Sequence, residues 1–260
     1  MIRNLQIEWM KIKNYRVFQV FSVLYTLGIL LIIFIFYKIY LQLTSRLTGR
    51  DGSDLLGLFS ETTIWSTVGF ATSMLLYLPG MVIISLFINE VNFKTHRQNI
   101  IDGWKRETFI YTKIGLIVVI SLCVMVMNFI ATLVMANITD TPFNITAGLT
   151  TLVYTCIQAF VYMMFALMLA TFFRRSGVAI IVFFIYGLLL EWLLMWLFYN
   201  ISPGLQYFLP LQVADSLIPI YGMEGPFGDR PSDLALVIGS FVYAGLFMWL
   251  AVRKYKYDDL

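Results

Sequence analysis

Charge is what this sequence has least of. Only 13 % of its 260 residues are Asp, Glu, Lys or Arg and 60 % are hydrophobic; soluble domains carry roughly 25 % charged residues. That composition excludes a water-soluble globule and describes an integral membrane protein with little soluble mass. Histidine is almost absent: His96 stands alone, outside every long apolar run. Zinc-site spacing and Ser-His or Cys-His catalysis within the membrane are therefore excluded. No G-x4-G-K-[ST] phosphate loop occurs, so the chain has no P-loop ATPase chemistry of its own. The two cysteines, Cys123 and Cys156, both fall in apolar runs and read as buried structural thiols, not as a disulfide framework. Internal repeats and low-complexity stretches are missing, and the net charge of +3 is no argument for nucleic acid, which is not an expected partner.

What is present is a series of long apolar segments. A helix needs about 20 apolar residues to cross the hydrocarbon core, and six stretches qualify: 17–41, 65–88, 114–137, 147–173, 177–199 and 234–252. The first is too long for a signal-peptide core and lacks a small-residue cleavage site, so it reads as a retained span. Within the six, the only Asp, Glu, Lys or Arg residues are Lys38, close enough to a span end to snorkel, and Glu191. Pro79 is expected to kink the second span by removing a backbone donor.

Basic residues orient the chain. Arg3, Lys11, Lys13, Arg16, Lys94, Arg97, Lys105, Arg106, Lys113, Arg174, Arg175, Arg253, Lys254 and Lys256 fall on one side; only Lys38, Arg46, Arg50 and Arg230 fall on the other. Fourteen against four places both ends of the chain in the cytoplasm. Residues 205–221, "LQYFLPLQVADSLIPIY", are apolar enough to suggest a seventh span, but Pro210, Asp215 and Pro219 interrupt them. A crossing there would also invert the charge bias. Two short interfacial or re-entrant helices within 203–222 are expected instead, with irregular backbone buried in protein or lining a wet cavity.

Two amphipathic segments complete the pattern. Ile2, Leu5, Trp9 and Ile12 recur at helical spacing beside Arg3, Lys11 and Lys13, which predicts an interfacial helix over 1–16 leading into the first span. Between the second and third spans lies "NEVNFKTHRQNIIDGWKRETFIYTK", residues 89–113. Asn92 or Thr95 can cap a short helix there and Gly103 can stop it. Phe93, Ile100 and Trp104 share one face, and Lys94, Thr95, Arg97, Gln98 and Asp102 the other. A basic loop held on anionic headgroups is the simpler reading of such a cluster taken alone.

The order of parts resembles the permease subunit of ABC-2-type exporters, a group that includes bacteriocin-immunity and drug-efflux permeases. The nearest local match is E-x4-T-x-R-x5-G-x2-R-x6-K, formed here by Glu90, Thr95, Arg97, Gly103, Arg106 and Lys113. The resemblance implies that segment 90–113 is a coupling helix, with Glu90, Asn92, Lys94, Thr95, Arg97, Gln98, Asp102, Gly103 and Arg106 docking on a separate P-loop ATPase. It implies ATP and magnesium on that partner and none in this chain, a second permease copy or sister permease, and contact with membrane lipid. The expected architecture is an all-α membrane protein of six transmembrane helices in one permease domain, and the expected role is transport of an amphipathic or lipophilic peptide, drug or lipid, not enzymatic catalysis. An accessory or sensor subunit is the alternative; a membrane-embedded lipid-modifying enzyme would want clustered His, Asp or Glu near an interface, which the sequence lacks.

Glu191, in "YGLLLEWLLMW", carries two readings. It is either a substrate-path or gating residue, with Trp192 beside it, or an acid hydrogen-bonded between helices to Asn128, Tyr154 or Gln158. Trp65, Trp196 and Trp249 read as anchors of the interfacial aromatic belt.

Overall fold

A computed structural model describes residues 2–47, 57–95, 106–219 and 230–257, with side chains from Gln6 onward apart from Ile7, residues 43–47 and Arg106. The described residues are all-α, without strands. Six helices are long and apolar enough to cross a membrane: Arg16–Gln42, Ile64–Asn92, Glu107–Ile138, Ile145–Phe173, Ser176–Ile201 and Asp233–Tyr257. They are called here the first to sixth spans. The protein is a multi-pass membrane protein.

The spans divide into a centre and a rim. The second and fourth are mostly buried, and the fourth packs along the second, third and sixth. Without a hydrophobic force between helices in lipid, close packing of small residues holds such a centre together. Gly148 lies flat against the indole of Trp65, and a Cβ there would occupy the ring's position. Trp65 is accordingly buried, beside Phe129 and Phe143, instead of anchoring a belt. The first and fifth spans turn most of their apolar side chains outward. Cys123, expected to be buried, is exposed on the third span. Apolar neighbours in sequence do not separate a lipid-facing position from a packed one.

Two spans deviate from regular helix, each for a local reason. In the second, Pro79 cannot donate to the preceding turn, and the helix tightens into a 3-10 turn at Met74–Leu76. In the fifth, a π turn at Tyr186–Leu190 precedes Glu191. Gly187 in that turn admits the Tyr77 hydroxyl of the second span so closely that a Cβ would collide with it.

The N-terminal helix, Ile2–Lys13, is separate from the first span. Residues Asn14 and Tyr15 break the helix before Arg16. It lies against the third span. Between the fifth and sixth spans, the chain forms a 3-10 turn at Leu205–Phe208 and a short helix at Gln212–Asp215.

Candidate functional site

The most heavily charged buried site sits where the N-terminal helix meets the second and third spans. Glu8 and Ile12, one turn apart, occupy the same helical face, and both are buried. Lys113 lies two turns into the helix that starts at Arg106, and it too is buried. Its ammonium donates to Glu8 Oε2 and, at 2.6 Å, to Glu90 Oε1 at the end of the second span. Lys11 Nζ reaches Glu8 Oε1 at 3.2 Å. Lys113 Nζ also stands 5.1 Å from the centre of the Phe109 ring, one turn back. Beside the cluster, Asn89 Nδ2 donates to the Tyr15 hydroxyl.

Charge balance explains why this cluster survives burial. Among the described residues two carboxylates face two ammonium groups, so their charges balance around the buried Lys113. Burial by itself would raise the Glu8 carboxyl; Lys113, and then Lys11, outweigh it and hold Glu8 below the usual carboxylate value. The cluster joins three pieces of chain far apart in sequence: the N-terminal helix, the end of the second span and the start of the third.

Glu90 and Lys113, the two ends of the pattern read from the sequence, are therefore in direct contact. Between them, the helix ends at Asn92, and Lys94 takes a left-handed conformation (φ 57°) as the chain turns away. Thr95 Oγ1 donates to the Glu90 carbonyl at 3.2 Å. Phe93, Lys94 and Thr95 are exposed. Arg97, Gln98, Asp102 and Gly103 lie outside the described residues, as do His96, Ile100 and Trp104. Arg106 starts the next helix, and its side chain is outside the description. On the N-terminal helix, Ile12 is buried while Trp9 is half-exposed and packs edge-on to Phe18. The side chains of Ile2 and Leu5 are outside the description.

Sequence reasoning did not single out Glu8. A signal was available: it is the only acid before Asp51, and it falls on the apolar stripe of the helix at the i+3 position from Leu5 and i−4 from Ile12. A lone acid on an apolar face, in a basic segment, calls for a buried cation.

A second polar site lies beyond the middle of the fifth span. Glu191 is 2 % exposed. Its partners are none of Asn128, Tyr154 and Gln158: Oε1 accepts from the backbone N–H groups of Leu211, at 2.7 Å, and Gln212, at 2.8 Å. The reason is local. The first turn of a helix leaves N–H groups without partners, and Gln212–Asp215 follows Pro210, so the carboxylate of another helix caps it. At the other end of the same turn, Asp215 accepts from Gln158 Nε2 at 2.9 Å and from the Tyr162 hydroxyl at 2.9 Å. Asn128 bonds Thr72 and Tyr154 bonds Asp233. Segment 205–218 is thus fastened to the fourth and fifth spans by two acids. Trp192 is turned outward, 60 % exposed, whereas Glu191 beside it is buried.

Among the described residues no group of three His, Cys, Asp or Glu side chains could hold a metal ion. The sequence profile of the family described as "Protein of unknown function (DUF2705)" matches residues 49–260, and the chain belongs to that family. No curated protein matches the chain.

Proposed function

We propose that this member of the DUF2705 family is the membrane-spanning permease subunit of an ATP-binding-cassette exporter. The observation that carries the proposal is the Glu8–Lys113–Glu90 cluster. It ties together both ends of the charged segment 90–113 and anchors them to the N-terminal helix. A push delivered to that segment reaches the second and third spans through buried ion pairs rather than through a slack loop.

In this reading the basic side of the protein faces the cytoplasm of a bacterial inner membrane, because positive residues resist translocation. The N-terminal helix lies in the interface. The segment around Arg97 and Arg106 is a coupling helix that docks on a P-loop ATPase, where ATP and magnesium are bound. Residues 203–222 re-enter from the outer side without crossing. Six spans make half a translocation path, so a second copy or a sister permease completes it. The substrate is amphipathic or lipophilic, since the path holds little fixed charge.

Co-purification is the test. The tagged chain, extracted in mild detergent from cells that express it natively, is expected to bring down a polypeptide carrying a G-x4-G-K-[ST] loop and ATPase activity. Recovery of the chain alone, or only with proteins lacking that loop, would overturn the proposal.

A further inference from the structure

The turn that Glu191 caps ends on a second acid, Asp215, whose setting the permease reading does not use. Asp215 is half-buried, and its carboxylate reaches the buried side chains of Gln158 and Tyr162 on the fourth span. Gln158 Nε2 donates to Oδ1, and the Tyr162 hydroxyl stands 2.9 Å from both carboxylate oxygens. Tyr162 packs edge-on to Tyr77 of the second span, whose hydroxyl lies against Gly187 in the π turn before Glu191.

Among the described residues neither Asp215 nor Glu191 has a Lys or Arg as a hydrogen-bond partner. The titratable groups packed around the turn are the phenols of Tyr77, Tyr162, Tyr186, Tyr207 and Tyr243 and the carboxyl of Glu191. One turn nearer the start of the fourth span, Tyr154 donates to Asp233, which also holds Arg230. The other basic residues of the fourth to sixth spans, Arg174, Arg175, Arg253, Lys254 and Lys256, stand at the far ends of those helices. Arg174 is about 18 Å along the helix from Tyr162.

The partners of Asp215 suit a carboxyl in either protonation state. A hydroxyl donates to a carboxylate and accepts from a carboxylic acid, so Tyr162 keeps its bond when Asp215 takes a proton. Gln158 offers the same choice. Its Oε1 is buried without a partner among the described residues, and half a turn of the amide presents it to a protonated Asp215. The backbone N–H groups that hold Glu191 can only donate.

We propose that Asp215 is a proton-binding site that controls the docking of segment 205–218: the docked turn holds the acid neutral, and loss of the proton loosens the turn from the fourth span. Packing strips water from Asp215 and raises its carboxyl to about 6, against the bonds from Gln158 and Tyr162, which lower it. An undocked Asp titrates near its ordinary value of about 3.9. The proton's contribution to docking is therefore complete below that value and is lost as the pH rises through about 6. Acids held within a membrane bundle without a cation are suited to carrying protons. The inference is independent of any ATPase partner, and its failure would leave the permease proposal standing.

Infrared difference spectra of the purified full chain, taken across a pH titration, test it through the carbonyl stretch of a protonated carboxyl. In the parent, such a band is expected to vanish with a midpoint at about pH 6. Asp215→Asn should remove it, and Glu191→Gln should leave it in place. Tyr162→Phe should raise the midpoint by about one unit, because the donor it loses favoured the carboxylate. That variant removes only a hydroxyl and keeps the test decisive if Asp215→Asn fails to fold. Amide hydrogen exchange over residues 211–218, corrected for its intrinsic pH dependence, should quicken above the midpoint in the parent and not in Asp215→Asn. A parent without the band, a band kept in Asp215→Asn or lost in Glu191→Gln, or an unmoved midpoint in Tyr162→Phe would overturn the proposal. Corrected exchange that ignores pH in the parent would overturn it as well.

Discussion

Glu8 and Glu191 are both buried carboxylates, set toward opposite sides of the protein, and they are answered by different chemistry. Glu8 meets two ammonium groups, in a cluster that also draws in Glu90. Glu191 meets two backbone N–H groups and no cation among its hydrogen-bond partners. An ion cluster depends on charge: remove one member and the others are left buried without balance. A backbone cap depends only on an acceptor oxygen in place. The first site ties the N-terminal helix to two spans, and the second holds a short turn against one. Similar burial therefore stands for two different mechanical roles.

The largest effect should come from removing the cation. Lys113→Met takes the buried ammonium from between Glu8 and Glu90, leaving Lys11 as the ammonium on Glu8, and is expected to destabilise the protein by about 3–5 kcal/mol. Thermal unfolding in detergent measures it, and adding Glu8→Gln and Glu90→Gln to the same chain should restore much of the loss. If Lys113→Met melts like the parent, the cluster is not a structural tie.

Next comes Glu191→Leu, which strips the acceptor from the N–H groups of Leu211 and Gln212. The expected cost is about 1–3 kcal/mol for each buried donor left without a partner. Faster proteolysis within residues 205–218 should accompany it. If Leu is tolerated there with no change in melting or transport, the cap is incidental.

The comparison is sharpest when the same substitution is made at both sites. Glu191→Gln keeps a carbonyl oxygen for the two N–H groups and should cost under about 1 kcal/mol. Glu8→Gln removes a charge-assisted bond from Lys113 and should cost about 1.5–3 kcal/mol. Equal costs would erase the distinction between the two sites.

Topology is the gentlest probe, since exposed positions tolerate change within about 0.5 kcal/mol. In a chain whose two native cysteines are replaced by Ser, Asn14→Cys should label only from the cytoplasmic side. Leu205→Cys and Pro219→Cys should both label only from the opposite side, as a re-entrant segment requires. Labelling of Pro219→Cys from the cytoplasmic side would mean that the segment crosses.

The two sites also differ in how far the sequence revealed them. Six spans were legible because a bilayer demands some 20 apolar residues per crossing, a constraint local to each segment. Glu191 was conspicuous as an acid within such a segment, yet its partners were hidden. They are backbone groups freed at the turn after Pro210, and a search among polar side chains cannot find them. Glu90 and Lys113 were picked out as the ends of a pattern, but their contact with Glu8 joins residues 105 positions apart. Trp65 and Cys123 show the remaining limit: in a membrane protein both the packed face and the lipid face are apolar, so hydropathy does not tell which side a residue takes.

If the charged segment between Glu90 and Lys113 docks an ATPase, as proposed, the Glu8–Lys113–Glu90 cluster at its two ends carries the motion into the spans. The most direct measurement compares co-purification of a P-loop ATPase by the parent chain and by Arg97→Glu with Arg106→Glu. The double variant is expected to insert, fold and melt as the parent does, within about 0.5 kcal/mol, yet to lose the ATPase and its transport. An ATPase retained at the parent's level by the double variant, with transport intact, would contradict the claim.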